Sequence, residues 1–94
     1  MEKSAYLAEH AVVGKILKAA RWRAGKKKQR AVAALLGVPQ SFVSKYENGG
    51  RYLDVLEFLR IAYVLNANPH KLIDEILERA PALRARVRKR PRAL

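Results

Sequence analysis

The polar side chains that could do chemistry in this sequence lie together on one side of a short predicted helix after Pro39. At 100° per residue, Phe42, Val43 and Tyr46 fall on one side of that helix. The other side carries an amide, two hydroxyls and an ammonium, from Gln40, Ser41, Ser44 and Lys45. Such groups can form hydrogen bonds with base edges in a DNA major groove. An ordinary solvated helix surface is the alternative, and the surrounding sequence must decide between the two.

The distribution of charge favours the first interpretation. Among 94 residues, 20 Lys and Arg against eight Asp and Glu give a net charge of +12. Residues 15–51 hold ten basic residues and one acid (net +9), whereas residues 52–78 hold two basic and five acidic residues (net −3). Residues 79–94 add seven basic residues and no acid (net +7). A basic excess favours polyanionic partners, with nucleic acid first and anionic membranes or acidic proteins after it.

Several function classes lack the residues they need. The absence of cysteine excludes disulfides, thiolate metal sites and a cysteine nucleophile. His10 and His70 are far apart and have no acidic cluster, so we expect no metal and no other cofactor. Without a phosphate-binding glycine loop, a Ser/His/Asp set or paired carboxylates at a site, we do not expect an enzyme. No apolar run approaches about 18 residues, so we expect a soluble cytoplasmic protein that does not cross a membrane.

The helix breakers divide the chain into five predicted helices with no sheet. Gly25, Gly37 and the Asn48-Gly49-Gly50 turn end the first three helices, and Asp54 with Glu57 forms a predicted capping box at the start of the fourth. Pro39 suits a first helical position. The predicted helices span residues 8–24, 29–36, 39–48, 54–65 and 69–79. We expect the remaining tail, residues 80–94, to be basic and mobile.

The apolar residues of each helix recur at helical spacing and predict the core. Trp22 is also expected there rather than on the surface. The predicted inward residues are Val12, Val13, Ile16, Leu17 and Ala20 in the first helix; Val32, Ala33, Leu35 and Leu36 in the second; Phe42, Val43 and Tyr46 in the third; Val55, Phe58, Leu59, Ala62 and Leu65 in the fourth; and Leu72, Ile73, Ile76 and Leu77 in the fifth.

A longer motif surrounds the polar side. Residues 29–49, QRAVAALLGVPQSFVSKYENG, resemble the helix-turn-helix of the Cro/CI-type (XRE) family, the lambda-repressor-like DNA-binding domains. The similarity extends over about residues 12–78. It implies an all-α, compact five-helix domain over residues 1–79, with the helix-turn-helix at about 29–48. Members of this family bind DNA operators, commonly as dimers on inverted repeats.

The resemblance also assigns roles to individual positions. Glu47 matches an acid that pairs with an arginine of the first helix, here Arg21, as a structural pair. The positions that match base-contacting residues are Gln40, Ser41 and Lys45, together with Ser44, which contacts either a base or a phosphate. The resemblance implies contacts to the DNA backbone from Gln29, Asn48 and Arg51. The basic Lys26, Lys27 and Lys28 are expected to add backbone contacts by proximity alone, although these three could also be a solvated loop.

Three features depart from the family pattern, and one of them is the tail beyond Arg79, which has no counterpart in the shared core. Lys26, Lys27 and Lys28 make the segment before Gln29 one residue longer than usual and replace the expected apolar residue. Pro39 stands where family members commonly have a hydroxyl cap.

The leading functional hypothesis is a sequence-specific DNA-binding transcriptional regulator. We expect it to be a repressor that binds an inverted-repeat operator in double-stranded DNA as a homodimer, in the cytoplasm and associated with the nucleoid. One alternative is an antitoxin that autoregulates its operon and holds a toxin as protein partner. The other is a non-specific, architectural nucleic-acid-binding protein.

Overall fold

The computed structural model describes the backbone of residues 3–80 and the side chains of residues 8–80. It contains five helices, α1 (Lys3–Arg23), α2 (Gln29–Leu36), α3 (Gln40–Glu47), α4 (Val55–Val64) and α5 (Pro69–Arg79). No strand occurs within residues 3–80. The predicted all-α fold is therefore confirmed. α1 begins five residues earlier than predicted, and residues 81–94 of the predicted tail lie outside the described residues.

Local signals at the helix ends explain these boundaries. Gly37 follows α2 with a φ of 72°, a left-handed conformation in which its N–H reaches the carbonyls of Ala33 and Ala34. At the start of α4, the Glu57 N–H donates to Asp54 Oδ1 (2.7 Å) and the Asp54 N–H donates to Glu57 Oε1 (3.0 Å). This is the predicted capping box. Pro39 caps α3 from outside rather than being its first residue.

The core lies where α3 meets the rest of the domain. α3 packs against α1 and α2, while α4 packs on α2 and α5 packs on α1. Tyr46 of α3 is 2% exposed, and burial raises the pKa of its phenol above the ordinary tyrosine value. The residues of this hydrophobic core come from all five helices and their ends: Ile16, Leu17, Ala20, Val32, Ala33, Leu36, Val43, Tyr46, Ile61, Ala62, Leu65 and Leu72.

The predicted inward faces were wrong at several apolar positions. Ile61, which was left out of the prediction, is 1% exposed, because α4 directs Ile61, Ala62 and Leu65 inward. This rotation carries Val55 and Leu59 towards solvent. A domain of this size buries a limited surface, so some apolar residues stay outside. The residues predicted inward but found exposed are Leu35, Val55, Leu59, Ile73 and Leu77.

Trp22 was predicted in the core but is 51% exposed. The inward side of α1 continues from Ile16, Leu17 and Ala20 to Arg21, which is 3% exposed. Trp22 is the next residue and is rotated by 100° from Arg21, which turns it away from the core. A charged side chain thus occupies the inward position at the end of α1.

Candidate nucleic-acid interface

α3 presents a polar surface on the side opposite the core. Val43 and Tyr46 are buried beneath it, and Phe42 packs against the core from the edge. The outward side chains include no acid and are exposed, except for the half-buried Ser44: Gln40, Ser41, Ser44 and Lys45. The structure therefore brings all four predicted base-contacting residues to one side of one helix.

A buried ion pair fixes α3 to α1. Arg21 Nε donates to Glu47 Oε2 (2.7 Å) and Arg21 Nη2 donates to Glu47 Oε1 (3.0 Å). The two side chains are 4% and 3% exposed. Two parallel hydrogen bonds between a guanidinium and a carboxylate hold both planes in one orientation. The pair implied by the resemblance is present, and it sets the direction of the last turn of α3.

Hydrogen bonds extend from this ion pair to the surface. Gln29 Nε2 at the start of α2 donates to Glu47 Oε1 (2.9 Å). Gln40 Nε2 then donates to Gln29 Oε1 (2.7 Å). We call Arg21, Glu47, Gln29 and Gln40 the amide chain. It links α1, α2 and α3, and it restrains the exposed Gln40 through a partner that is itself anchored in the interior.

The amide chain leaves Gln40 able to form a two-pronged contact. A glutamine amide carries two N–H donors and one acceptor oxygen. One N–H of Gln40 is used by Gln29. A second N–H and the oxygen match the N7 acceptor and N6 donor that adenine presents in the major groove. The internal contact and an adenine contact are thus compatible.

Arg21 also holds the lysine-rich loop before α2. Its Nη1 donates to the carbonyls of Lys26 (3.0 Å) and Lys27 (2.7 Å). Lys27 and Lys28 are exposed, and Lys26 is half-buried. Lys28 is the N-cap of α2 and forms no side-chain cap hydrogen bond. The first N–H groups of α2 and the neighbouring ammonium groups therefore form a surface that favours an anion.

The other flank of α3 is ordered by the loop to α4. Asn48 is the C-cap of α3, and its Oδ1 accepts a hydrogen bond from the Gly50 N–H (3.1 Å). Arg51 Nη2 donates to Glu57 Oε2 (2.8 Å), and the guanidinium lies 4.4 Å from the centre of the Phe42 ring. Among the described residues, the buried Nε of Arg51 has no hydrogen-bond partner. Asn48 and Arg51 thus lie in the loop that follows α3, whereas the lysines lie in the loop that precedes α2.

Sequence reasoning missed the role of Gly14 in positioning α3. A Cβ at this position would lie 2.4 Å from the carbonyl oxygens of both Tyr46 and Glu47. Only glycine lets the α1 backbone approach the end of α3 so closely. The sequence signal that could have revealed this contact is a glycine in the middle of the apolar stripe of α1. Glycine is a poor helix former, so its presence there points to a packing requirement.

The match to known proteins agrees with this geometry. A helix-turn-helix family model, of the XRE (Cro/CI) type, matches residues 17–72, more than half of the chain. The chain belongs to the XRE family. The matched segment contains α2, α3 and α4 completely, together with the end of α1 and the start of α5. A search of the curated proteins finds no match to this chain.

Membership of the XRE family settles the general class of function. The protein is a DNA-binding transcription regulator, and the helix-turn-helix binds double-stranded DNA. The predicted family and the predicted regulator class are confirmed. In this XRE domain, the lysine segment before α2 has its carbonyls bound by Arg21, so the longer loop keeps a defined backbone path.

Within residues 3–80, no helix is both long enough and apolar enough to cross a membrane. Across the same part of the chain, no three His, Asp or Glu side chains are grouped as metal ligands would be.

Proposed function

We propose that this XRE-family regulator is a sequence-specific repressor that reads an inverted-repeat operator as a homodimer, acting on DNA in the cytoplasm. The observation that carries the proposal is the amide chain, which restrains Gln40 on the exposed side of α3 through the buried Glu47. A side chain held in this way loses less conformational freedom when it binds a base than a freely rotating one would.

The side chains divide into two roles under this proposal. Base contacts come from the outward side of α3, where Gln40 meets adenine, Lys45 donates to guanine or a phosphate, and Ser41 and Ser44 add hydroxyls. Phosphate contacts come from the two flanks and fix the register of α3 in the groove. These backbone-contacting residues are Lys26, Lys27, Lys28, Gln29, Asn48 and Arg51.

A non-specific architectural role is the second candidate, because the net charge of +9 over residues 15–51 alone would hold any duplex. It predicts similar affinity for all sequences. The proposed repressor predicts preferred sites, so the two functions differ in one measurable property. Repression itself would follow from occupation of the operator.

Selection of bound duplexes from a random DNA pool tests the proposed function. We expect successive rounds to enrich one sequence that contains two inverted half-sites, with centres about 10 base pairs or a multiple of that spacing apart. The expected result includes a fall in affinity for the selected site when either half-site is scrambled. A pool that remains random after several rounds would favour the architectural role instead.

A further inference from the structure

The outward side of α4 is apolar, although its inward side already belongs to the core. Leu56 is 71% exposed, Leu59 is 40% exposed and Tyr63 is 85% exposed. Ile61 and Ala62 of the same helix are buried. A helix with apolar residues on both sides is normally covered on both sides. The described residues of the single chain therefore cover α4 on one side only.

The exposed apolar surface extends beyond α4. Leu35 of α2 is 57% exposed and lines the same groove as Leu56, Leu59 and Tyr63. We call these four residues the α4 face. Leu59 also lines a second groove, on the other side of α4, together with Val55, Phe58, Ile73 and Ile76. The apolar surface is thus continuous across the helix, and contiguous surfaces of this kind mark interaction sites.

The spacing along α4 suits a helix of the same sequence. Leu56, Leu59 and Tyr63 are separated by three and four residues, the alternation that forms a seam between two helices. The midpoint of the seam falls at Leu59 and Arg60. A two-fold axis at that point places Leu56 of one chain opposite Tyr63 of its partner, as a self-complementary contact requires.

Charge favours a second copy of the chain over a charged partner. Among the described residues, Arg60 is the only charged one that lines the groove of the α4 face, and its Nη2 donates to the Leu36 carbonyl (3.4 Å). The segment that carries α4 and α5, residues 52–78, has a net charge of −3, whereas residues 15–51 have +9. None of the acidic residues of the first segment lines this groove, and the second segment contributes only the apolar Leu35 and Leu36, so a contact between two copies opposes few like charges.

We infer that the α4 face is the contact surface between two copies of this chain. The role of this dimer in binding an inverted repeat rests on the proposed function, whereas its contact surface is inferred from the α4 face alone. A two-fold contact through α4 leaves the outward side of α3 outside the interface in both chains, because none of its four polar residues lines either groove. The surface therefore provides the homodimer that an inverted repeat requires.

The mass of the full chain in solution without DNA, measured by sedimentation equilibrium, tests the surface. We expect the wild type to approach twice 10.6 kDa as its concentration rises. Leu56→Glu and Tyr63→Glu should each weaken the dimer at least tenfold, since each buries a carboxylate at the contact. Both positions are more than 70% exposed in the single chain, so folding is retained and can be checked by circular dichroism.

The matched control is Leu77→Glu. Leu77 is also exposed (39%) but lines neither groove of α4, so its variant should dimerise like the wild type. A wild type that stays monomeric at all concentrations overturns the inference. So does a dimer whose dissociation constant is unchanged by both α4 variants.

A second readout separates this inference from the proposed function. On duplexes selected from the random pool, the α4 variants should keep the wild-type affinity for a single half-site. They should lose the additional affinity that a second half-site gives the wild type. If the wild type dimerises through α4 but selects no sequence, the proposed reading function fails and the dimer surface stands. If it selects single half-sites as a monomer, sequence reading stands and the dimer surface fails.

Discussion

The junction of α1 with α3 and the outer side of α4 distribute polar and apolar residues in opposite ways. At the junction, a guanidinium and a carboxylate are buried, with 4% and 3% of their side chains exposed. On α4, a leucine and a tyrosine are more than 70% exposed. Residue type therefore does not decide burial in this domain. We propose that the buried polar groups orient the surface that meets DNA, and that the exposed apolar groups form a surface for a second copy of the chain.

The largest expected effect is the loss of the buried carboxylate. Glu47→Ala leaves Arg21 buried without its charge partner, and we expect the free energy of unfolding to fall by about 3–5 kcal/mol. Urea denaturation measures the change. The control is Arg51→Ala, which breaks the more exposed Arg51–Glu57 pair (39% and 27%) and should cost only about 1 kcal/mol. Equal losses in the two variants would remove the contrast between the buried and the surface pair.

The next effect tests the close approach of α1 to α3. Alanine is the better helix former by about 1 kcal/mol, so Gly14→Ala would stabilise an unobstructed helix. Here the added Cβ meets the Tyr46 and Glu47 carbonyls at 2.4 Å, and we expect a net loss of about 1–3 kcal/mol in unfolding free energy. A gain in thermal stability would show that the backbones of α1 and α3 are not in contact at this point.

The smallest effect is expected on α4. At concentrations low enough to keep the chain monomeric, Leu56→Ala should change the free energy of unfolding by less than about 0.5 kcal/mol. Leu72→Ala, at a leucine that is 2% exposed, is the matched control and should cost about 2–5 kcal/mol. A large loss at Leu56 in the monomer would mean that the side chain already packs within its own chain.

The sequence was a good guide to the helices and a poorer one to their inward faces. The bounds of α2 and α5 were predicted as observed, because Gly37 and Pro69 act locally, and the capping box at Asp54 sets the start of α4 in the same way. Leu35, Leu59 and Ile73 were predicted to face inward because they are apolar and recur at helical spacing. Which side of a helix is buried, however, depends on the helices packed against it. The apolar positions outnumber the places in a small core.

The same limit applies to the candidate site. The outward residues of α3 follow from helical spacing, and the Arg21–Glu47 pair followed from the family resemblance. The hydrogen bond between Gln29 and Glu47 joins residues 18 positions apart, and it depends on the angle at which α2 meets α3. The hydrogen bonds from Arg21 to the Lys26 and Lys27 carbonyls form because its guanidinium has N–H donors left after pairing with Glu47. Neither contact has a signature in residue spacing.

We propose that Gln40, held by the amide chain, distinguishes DNA sequences, whereas the lysines before α2 bind DNA of any sequence. The ratio of affinities for the selected and a random duplex, measured for Gln40→Ala, tests it most directly. We expect a loss of about 1–3 kcal/mol on the selected site and little change on random DNA, so the ratio falls. Lys28→Gln is the control and should weaken both duplexes alike, with a salt slope lower by about one. An unchanged ratio for Gln40→Ala would contradict the claim.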